Sequence, residues 1–301
     1  MPDVVALAAP AKVNLRLAIL AREESGYHSL ESLFCAISLG DELVVRRAGP
    51  GVALEVEGAA ETGPPERNLA VLAARRFYAE LGEEPAVGIR LAKRVPVAAG
   101  LGGGSSDAAA VLRALNVLHG EPFTRAALLQ MAVELGSDVP FFLCGSPLAL
   151  GWGRGERLLA LPPLPERAVL VAHPGVAMPT PQAFAAIAAR RGPNPPPQAF
   201  GFDAAELASW GAVARIARND FGEVGAERIP VLRDALESMR AGGAEVALLA
   251  GSGASVFGVF ASGGARDAAR ERVEALGMAC WAARTLAALP APRVDPAPET
   301  A

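Results

Sequence analysis

The first strand-like segment of the chain carries a polar stripe. Val4 to Leu20 has the composition of a β-strand, and within it Lys12, Asn14 and Arg16 recur at every second position. Because side chains alternate between the two faces of a strand, these polar residues share one face and apolar residues fill the other. The stripe leaves two interpretations open, a half-solvated edge strand or a face that lines a site.

Further along the chain, apolar spacing and the placement of glycine and proline predict both helices and strands. The predicted helices are Asn68 to Leu81, Ala108 to Leu118, Arg125 to Leu135, Thr180 to Ala189, Pro230 to Gly242 and Ala265 to Leu276. The predicted strands are Val87 to Leu91, Arg167 to Ala172, Ala244 to Leu249, Val256 to Phe260 and Cys280 to Ala283. A turn over residues 48–51 predicts that Leu43 to Val45 and Val52 to Val56 pair as a hairpin.

We expect two domains, with the second beginning near Leu158. The first spans residues 1–157, and the second spans residues 158–289. Residues 290–301, which read PAPRVDPAPETA, are rich in proline and are predicted to be disordered.

A glycine-rich loop before the second predicted helix is the candidate phosphate-binding element. Glycine permits backbone angles that a Cβ would block, and a helix N-terminus offers free N–H groups and a positive dipole end. Ser105 or Ser106 is predicted to cap that helix. The loop is neither a Walker A motif, since no lysine follows the glycines, nor a dinucleotide fingerprint, since Ser105 stands where a third glycine belongs. A turn that only caps a helix is the alternative. The residues assigned to phosphate binding are Pro96, Val97, Ala98, Ala99, Gly100, Leu101, Gly102, Gly103, Gly104, Ser105 and Ser106.

Asp138 is the candidate carboxylate. It follows a predicted helix end and precedes Pro140 and two phenylalanines. A turn aspartate that bonds its own backbone would fit this position as well as a functional group would.

Composition restricts the classes of partner. The chain has 301 residues, 51% of them hydrophobic, and a formal net charge of −4. No stretch reaches about 18 uncharged apolar residues and no signal peptide is visible, so we expect a cytoplasmic protein without membrane contact. The negative charge gives no general attraction to nucleic acid, so any anion site must be built locally. Cys35, Cys144 and Cys280 are odd in number and far apart, which favours free thiols over a disulfide framework or a zinc site.

Several separated motifs resemble the GHMP kinase superfamily. They are Pro10-Ala11-Lys12-Val13-Asn14-Leu15, Gly26-Tyr27-His28, Pro96 to Ala109, Gly136 to Phe142, Asn219-Asp220-Phe221 and Gly251-Ser252-Gly253. Within the superfamily they are most similar to the kinases that act on a cytidylyl-linked methylerythritol in the non-mevalonate isoprenoid pathway. The resemblance covers the chain from about residue 8 to about residue 285.

The resemblance implies a two-domain α+β fold, with an N-terminal domain like the second domain of ribosomal protein S5 and a ferredoxin-like C-terminal domain. It implies transfer of the ATP γ-phosphate to the C2 hydroxyl of the methylerythritol unit, with Asp138 as base and Lys12 as its charge partner. Mg²⁺ is expected as a cofactor, without clear protein ligands beyond the loop that holds Ser106 and Asp107.

The same resemblance assigns the cytidine end of the substrate to Asn14, Tyr27, His28 and Phe184. One position departs from the family pattern, since Ala250 stands where a serine commonly precedes Gly251-Ser252-Gly253. The backbone N–H donors of that turn remain.

Two alternatives compete with this interpretation. One is another small-molecule kinase of the same superfamily, of the mevalonate, homoserine or galactose type. The other is a non-catalytic nucleotide-binding protein, against which the presence of both Lys12 and Asp138 argues. We expect a small-molecule substrate and ATP as partners, and a monomer or weak homodimer.

Overall fold

The computed structural model describes residues 2–22, 28–58, 62–191, 203 and 207–294, with the main chain alone at residues 21, 22, 28 and 191. Its strands are β1 (Val4–Arg22), β2 (His28–Arg47), β3 (Gly51–Glu57), β4 (Ala86–Ala92), β5 (Leu148–Gly153), β6 (Arg157–Leu161), β7 (Ala168–His173), β8 (Arg218–Asn219), β9 (Val246–Leu249), β10 (Val256–Phe260), β11 (Ala279–Arg284) and β12 (Arg293–Val294). Its helices are α1 (Leu69–Leu81), α2 (Gly103–Leu118), α3 (Arg125–Leu135), α4 (Thr180–Arg191), α5 (Trp210–Ile216), α6 (Gly222–Arg228), α7 (Val231–Ala241) and α8 (Gly263–Glu274). Short 3-10 helices cover Pro65–Arg67 and Val139–Leu143.

The first sheet is built around the long antiparallel pair β1 and β2. Its main strand order is β12-β1-β2-β4-β3, while β5 pairs with β2 and with β6, and β8 pairs with β1. The register of β1 on β2 shifts between Asn14 and Arg16. Helices α1, α2 and α3 cover one face of this sheet, and Phe34, Phe77 and Leu115 lie in the core between them.

Local signals fix the ends of two of these helices as predicted. The side chain of Asn68 accepts a hydrogen bond from the N–H of Ala70 at the start of α1, and Gly82 ends that helix with a φ of 75°. The hydroxyl of Thr124 accepts from the N–H of Ala127 at the start of α3. These two predictions are confirmed.

Helix α2 begins earlier than the pattern predicts. It starts at Gly103 rather than near Ala108, so Ser105 and Ser106 lie inside its first turn. The N-cap is Gly102, whose φ of 69° only glycine adopts easily, and no side chain caps the helix. The prediction of a serine cap is therefore wrong, and the first amides of α2 remain available to a ligand.

The second sheet is the ferredoxin-like part of the fold. Its strands run in the order β11-β7-β10-β9, all antiparallel. In sequence, β7, α7, β9, β10, α8 and β11 follow the β-α-β-β-α-β pattern. Leu170, Leu232 and Val273 lie in the core between this sheet and helices α7 and α8.

The two sheets pack against each other through their remaining faces. Val13 and Leu15 of β1 share a core with Val171 of β7 and Phe257 of β10, and all four are fully buried. Strand β1 is therefore covered on both sides at its centre, so the polar stripe does not belong to a solvated edge. The predicted two-domain α+β fold is confirmed.

Three expectations about the chain path are corrected. The predicted hairpin of β2 and β3 does not form, because β4 lies between them, antiparallel to β2 and parallel to β3. β4 is mostly buried, whereas every second residue of β3 is exposed, so the apolar strand takes the interior position. The predicted domain boundary after residue 157 falls inside β6, which belongs to the first sheet. Residues 293 and 294, predicted to be disordered, pair with Val5 and Ala6 of β1.

The short elements α5, β8 and α6 were not predicted, because none is long enough to show a clear periodicity of apolar residues. The three cysteines are free, as predicted. In the part of the chain that the structure describes, no helix is long and apolar enough to cross a membrane.

Candidate active site

A cavity of about 960 Å³ lies where both sheets and the glycine loop meet. Lys12 and Asn14 of β1 line it, together with Asp138 at the start of a 3-10 helix and Phe184 of α4. Gly100 and Gly102 of the glycine loop, Ser105 of α2 and Ser252 of the turn between β9 and β10 also line it. The structure thus brings together residues that are far apart in the sequence.

Lys12 is buried and its ammonium points at two oxygen atoms. Its Nζ donates to Asn14 Oδ1 at 2.8 Å and lies 3.4 Å from Asp138 Oδ2. It also lies 5.6 Å from the centre of the Phe34 ring. Only 4% of the Lys12 side chain is exposed, against 33% for Asp138, so the cation is fixed while the carboxylate opens to the cavity.

Asp138 does not behave as a turn aspartate. It is the N-cap residue of the 3-10 helix Val139–Leu143, yet its side chain makes no capping hydrogen bond. The carboxylate faces Lys12 instead. Of the two interpretations that the sequence left open at this position, the turn aspartate lacks its backbone bond, and a functional role stays a prediction.

Arg16, the third residue of the polar stripe, does not line the cavity with Lys12 and Asn14. Its guanidinium donates to Glu31 at 2.6 Å and to the carbonyl of Ile216 at 2.9 Å. It is absent from the described cavity wall, because the register of β1 shifts after Asn14. The stripe therefore lines the cavity at two of its three positions and makes structural contacts at the third.

Asn14 connects β1 to the turn between β9 and β10. Its Oδ1 accepts from Lys12 and also from the N–H of Gly251 at 3.1 Å, and its Nδ2 donates to Ser32 at 2.7 Å. Asn219 holds the same turn from the other side, donating to the carbonyls of Leu249 and Gly251. These bonds orient Lys12 and fix the turn; a contact of Asn14 with substrate stays a prediction.

The glycine loop is pressed against this turn. A Cβ on Gly100 would come within 2.0 Å of the carbonyl oxygen of Ala250, and one on Gly251 within 2.8 Å of the Gly100 oxygen. Both residues also have positive φ, 79° and 54°. A Cβ on Gly102 would approach the Lys12 side chain to 3.0 Å. Glycine is thus required where the loop meets the turn and where it passes the lysine.

A second cavity of about 320 Å³ lies on the other side of the loop. Besides the loop itself, Thr62, Arg67, Asn68 and Leu69 line it. Gly100, Gly102 and Ser105 belong to the walls of both cavities. The loop and the first turn of α2 therefore form the partition between two spaces, and the N-terminus of α2 gives this partition a positive end.

Three buried charges anchor the loop at its base. Lys93, just after β4, bonds to Asp41 of β2 and, at 2.8 Å, to Asp107 of α2. The other oxygen of Asp41 accepts from the N–H groups of Arg94 and Val95, at 2.6 and 2.8 Å. The cluster joins the elements on either side of residues 96–106.

The pKa values in this cluster follow from burial and charge. Burial raises the pKa of Asp107 to about 7; the positive charge of Lys93 opposes this rise and the negative charge of Asp41 adds to it. Burial acts to lower the pKa of Lys93, but the attraction of Asp107 and Asp41 outweighs it and the pKa is raised. The cluster holds two carboxyl groups for one ammonium, so the charge of Lys93 does not fully offset the effect of burial on Asp107.

Two oxygen atoms at the start of α2 are buried without a partner. They are Ser106 Oγ and Asp107 Oδ1. No group of three or more His, Cys, Asp and Glu side chains suitable for a metal occurs among the described residues. Mg²⁺ commonly uses one or two protein oxygens and completes its shell with phosphate and water, so the Ser106 hydroxyl fits such a site.

Of the residues predicted to hold the cytidine, the structure describes two at side-chain level. Phe184 lines the large cavity and meets Phe221 edge to face, with ring centres 4.9 Å apart. Asn14 lies in the wall as described above. Tyr27 lies outside the described residues, and so does the side chain of His28, whose backbone begins β2.

The sequence assigned no role to four polar residues of the cavity wall. They are Ser137, Arg154 at the tip of the β5–β6 hairpin, and Thr180 and Ser252, whose hydroxyls are 2.8 Å apart. Ser137 and Ser252 stood inside recognised motifs and Thr180 begins a predicted helix, whereas Arg154 lies in a glycine-rich segment that matches no nucleotide motif. Only the fold shows that it faces the cavity.

Two family models match the chain. The model of the GHMP kinases N terminal domain matches residues 68–146, and that of the GHMP kinases C terminal domain matches residues 202–277. The first covers the glycine loop and Asp138, and the second covers most of the ferredoxin-like part.

Whole-chain comparisons agree with these matches. The chain is 38% identical to a 4-diphosphocytidyl-2-C-methyl-D-erythritol kinase of Moorella thermoacetica, over 87% of this chain and 92% of the relative. A crystal structure of a 4-(cytidine 5'-diphospho)-2C-methyl-D-erythritol kinase superposes with a TM-score of 0.77 at 37% identity, covering 93% of this chain and 98% of that one. A homoserine kinase from Cytophaga hutchinsonii shares the fold, with a TM-score of 0.74 at 21% identity and coverage of 98% of each chain.

Proposed function

The chain belongs to the family of 4-diphosphocytidyl-2-C-methyl-D-erythritol kinases, and we propose that it transfers the γ-phosphate of ATP to the C2 hydroxyl of that compound, with Asp138 as general base. The family is one of ATP-dependent kinases within the GHMP kinases, and this chain is such an enzyme. The acceptor atom, the residue roles and the metal are the proposal.

The observation that carries the proposal is the pairing of Lys12 with Asp138 beside the glycine loop. The C2 hydroxyl is a tertiary alcohol and a poor nucleophile, so a carboxylate within hydrogen-bond reach must accept its proton. Asp138 is open to the cavity and makes no capping bond, and the Lys12 ammonium lies 3.4 Å from its Oδ2. Lys12 also stabilises negative charge that develops on the attacking oxygen.

ATP would lie across the partition between the two cavities. Its phosphates would meet residues 96–106, where the free amides of the first turn of α2 and the helix dipole attract negative charge. The nucleoside would enter the smaller cavity beside Asn68 and Leu69. The γ-phosphate would then face the larger cavity near Ser105, which lines both. This arrangement supplies the positioning on which phosphoryl transfer depends.

Mg²⁺ is part of the proposal. When bound, it would neutralise part of the negative charge on the ATP phosphates. Ser106 would hold it through the buried hydroxyl that has no partner in the structure, with phosphate and water oxygens as the other ligands. Asp107 is engaged by Lys93 through one oxygen, so its first role is to anchor the loop.

The cytidine end of the substrate would lie near Phe184, at the side of the cavity formed by α4. A flat cytosine ring can stack on an aromatic face, and Phe221 fixes the Phe184 ring by an edge-to-face contact. We keep Tyr27 and His28 as further proposed contacts. Their place in the chain supports this, since His28 begins β2 and Leu30 lines the cavity two residues later.

The test is a coupled assay of ADP formation with purified protein. We expect ADP release only with the cytidylyl methylerythritol compound, and no release with homoserine or mevalonate. Release with homoserine alone would support the alternative of another GHMP kinase, and absence of release with any acceptor would support a non-catalytic protein. The monomer or weak homodimer and the cytoplasmic location stay predictions, and sedimentation velocity would check the former.

A further inference from the structure

Ser255 stands where the turn between β9 and β10 leaves the second sheet. It is fully buried, and β10 begins at the next residue. Its carbonyl accepts the N–H of Ala250 at 2.8 Å, which is one of the two hydrogen bonds that a bonded pair of antiparallel residues exchanges. The second bond of that pair is replaced, because the N–H of Ser255 donates to the carbonyl of Ala99 at 3.3 Å. A backbone donor at the end of the sheet thus binds the glycine loop instead.

The carbonyl of Ala250, which that donor would otherwise meet, contacts the loop as well. It accepts the N–H of Gly253 at 2.8 Å, and it is the oxygen that leaves no room for a Cβ on Gly100. Ala99 is 2% exposed and shares a core with Ala250. The turn therefore fixes the glycine loop at Ala99 and Gly100, just before the N-terminus of α2.

His173, the last residue of β7, holds the side chain of Ser255. The register of β10 on β7 pairs Val256 with Ala172, so Ser255 and His173 lie opposite each other one step beyond the last ladder pair. Their side chains continue the pairing, with Ser255 Oγ 3.2 Å from His173 Nδ1. Among the described residues, this ring nitrogen is the hydrogen-bond partner of the hydroxyl.

The bond between these two side chains has a preferred direction. Burial lowers the pKa of His173, so the imidazole is neutral near pH 7 and one of its nitrogens can accept a hydrogen bond. The hydroxyl of Ser255 is enclosed by protein, and donating to Nδ1 satisfies its proton. His173 then carries its own proton on Nε2. Its Nδ1 is therefore the acceptor that a replacement residue must reproduce.

We propose that His173 and Ser255 are positioning residues for ATP, in which the imidazole holds the Ser255 hydroxyl and Ser255 holds the glycine loop through Ala99. The inference rests on the proposed function and extends it to residues outside the ligand cavities, since neither lines the described cavity on either side of the loop. A loop that is fixed before the ligand arrives loses less entropy when its amides bind phosphate. The pair acts on nucleotide affinity and takes no part in the proton transfer at Asp138.

His119 offers a matched control, because it makes the same kind of bond away from the loop. Its Nε2 lies 3.2 Å from the hydroxyl of Tyr78, and burial lowers its pKa as well. It follows the C-terminal end of α2, whereas the glycine loop precedes the N-terminal end of that helix. Loss of the His119 bond should lower stability without affecting the loop.

The experiment is a calorimetric titration of the full chain with a non-hydrolysable ATP analogue and, separately, with the cytidylyl methylerythritol substrate. The variants are Ser255→Ala, His173→Leu, the double variant of these two, His173→Asn and His119→Leu. We expect Ser255→Ala and His173→Leu each to weaken the affinity for the analogue about fivefold, the scale of one hydrogen bond. The double variant should lose no more than either single one, because both remove the same bond. The affinity for the cytidylyl substrate should stay near the wild-type value.

His173→Asn tests the direction of the bond, because the asparagine oxygen can replace Nδ1 as the acceptor. This variant should recover most of the affinity for the analogue that His173→Leu loses. In contrast, His119→Leu should lower the melting temperature and leave the affinity for the analogue unchanged.

Three results would overturn the inference while leaving the proposed function in place. The first is a wild-type affinity for the analogue in His173→Leu, with a lower melting temperature as its sole effect. The second is an equal loss of affinity in His119→Leu, which would indicate a general effect of stability. The third is an equal loss in His173→Leu and His173→Asn, and this comparison remains decisive if Ser255→Ala does not fold. A wild type that binds neither ligand and forms no ADP would instead reject the proposed function itself.

Discussion

Lys12 Nζ lies 3.4 Å from Asp138 Oδ2, although one residue is in the middle of the first strand and the other follows the third helix. The first sheet brings them together, because β2 pairs with β1 along one edge and with β5, which follows the Asp138 segment, along the other. The pair therefore depends on the fold as a whole rather than on any local motif. Both residues line the large cavity beside the glycine loop, with the lysine buried and the carboxylate partly exposed.

Replacing Lys12 by methionine tests the role of its charge. Methionine keeps an unbranched stem next to Gly102 while removing the ammonium, so we expect kcat to fall about 10²-fold, the scale of losing one preorganised charge. Steady-state kinetics of ADP release measure this. Arg16→Met is the contrasting variant, since it removes a buried cation from the same strand outside the cavity and should lower the melting temperature more than kcat. A loss below about threefold in Lys12→Met would reduce Lys12 to a structural residue.

Asn14 should act through the groups that it orients. Asn14→Ala removes the acceptor shared by Lys12 and the N–H of Gly251, and we expect about a tenfold fall in kcat together with about 1–3 kcal/mol of lost stability. Ser32→Ala removes the partner of Asn14 Nδ2 without touching the cavity, and it should affect stability alone. Kinetics and urea unfolding of both variants separate the two effects. Equal losses of kcat in the two variants would contradict a role of Asn14 in orienting Lys12 and the turn at Gly251.

Gly100 should tolerate no side chain. Gly100→Ala places a methyl group 2.0 Å from a backbone oxygen at a φ of 79°, and we expect severe destabilisation or separation of the loop from the turn. Gly104→Ala is the control, because its Cβ would meet only Leu69, at an ordinary 3.6 Å, on an exposed side of α2. Thermal melting should show a large loss in the first variant and a neutral or stabilising effect in the second. Similar melting temperatures for both would contradict the observed loop contact.

Asp107 should make stability depend on pH. Burial raises its pKa to about 7 from 3.8, so the folded state holds the proton more tightly than the unfolded state does. The free energy of unfolding should therefore fall as the pH rises from about 4 through about 7, where Asp107 becomes ionised only in the unfolded chain. The charges that face it are Lys93 and Asp41.

Asp107→Asn removes this titration and should flatten the pH dependence, with a gain relative to wild type that grows between pH 5 and pH 8. Asp41→Asn should destabilise the protein more. In the wild type one oxygen of Asp41 accepts from two backbone N–H groups and the other accepts from Lys93. If the asparagine oxygen keeps the two backbone bonds, its NH2 group faces the Lys93 ammonium. Denaturant unfolding at both pH values measures the difference. A wild type and Asp107→Asn with parallel pH profiles would contradict the assignment.

Local signals in the sequence were sufficient for much of the fold. Asn68 and Gly82 bound α1, and Thr124 begins α3, because caps act within a few residues. The hairpin prediction failed because a Gly-Pro turn reverses the chain without choosing which strand pairs with it. Which strand pairs with β2 depends on burial. The more apolar β4 therefore takes the position between β2 and β3.

The main residues of the candidate site were predicted from the sequence, but the contacts between them were not. The motif resemblance placed Lys12, Asp138 and the glycine loop in one site, and their geometry agrees with this. The bond from Gly251 to Asn14 joins residues 237 positions apart, and no periodicity indicates such a contact. Lys93 and Arg154 were missed for the same reason, since the fold places each beside elements distant in the sequence.

Asp138→Asn is the most direct test of the central claim. Asparagine keeps the size of the side chain and a hydrogen-bonding oxygen, so the affinities for the ATP analogue and for the cytidylyl substrate should stay near the wild-type values. Removing the proton acceptor should lower the rate of the chemical step by about 10²- to 10⁴-fold.

The deciding measurement is a single-turnover experiment, with enzyme in excess over substrate and phosphate transfer followed by rapid quench. The account predicts nearly unchanged binding of both ligands and a rate of transfer reduced by at least about 10²-fold in Asp138→Asn. A rate of transfer close to that of the wild type, with binding intact, would contradict the claim that Asp138 accepts the proton of the alcohol.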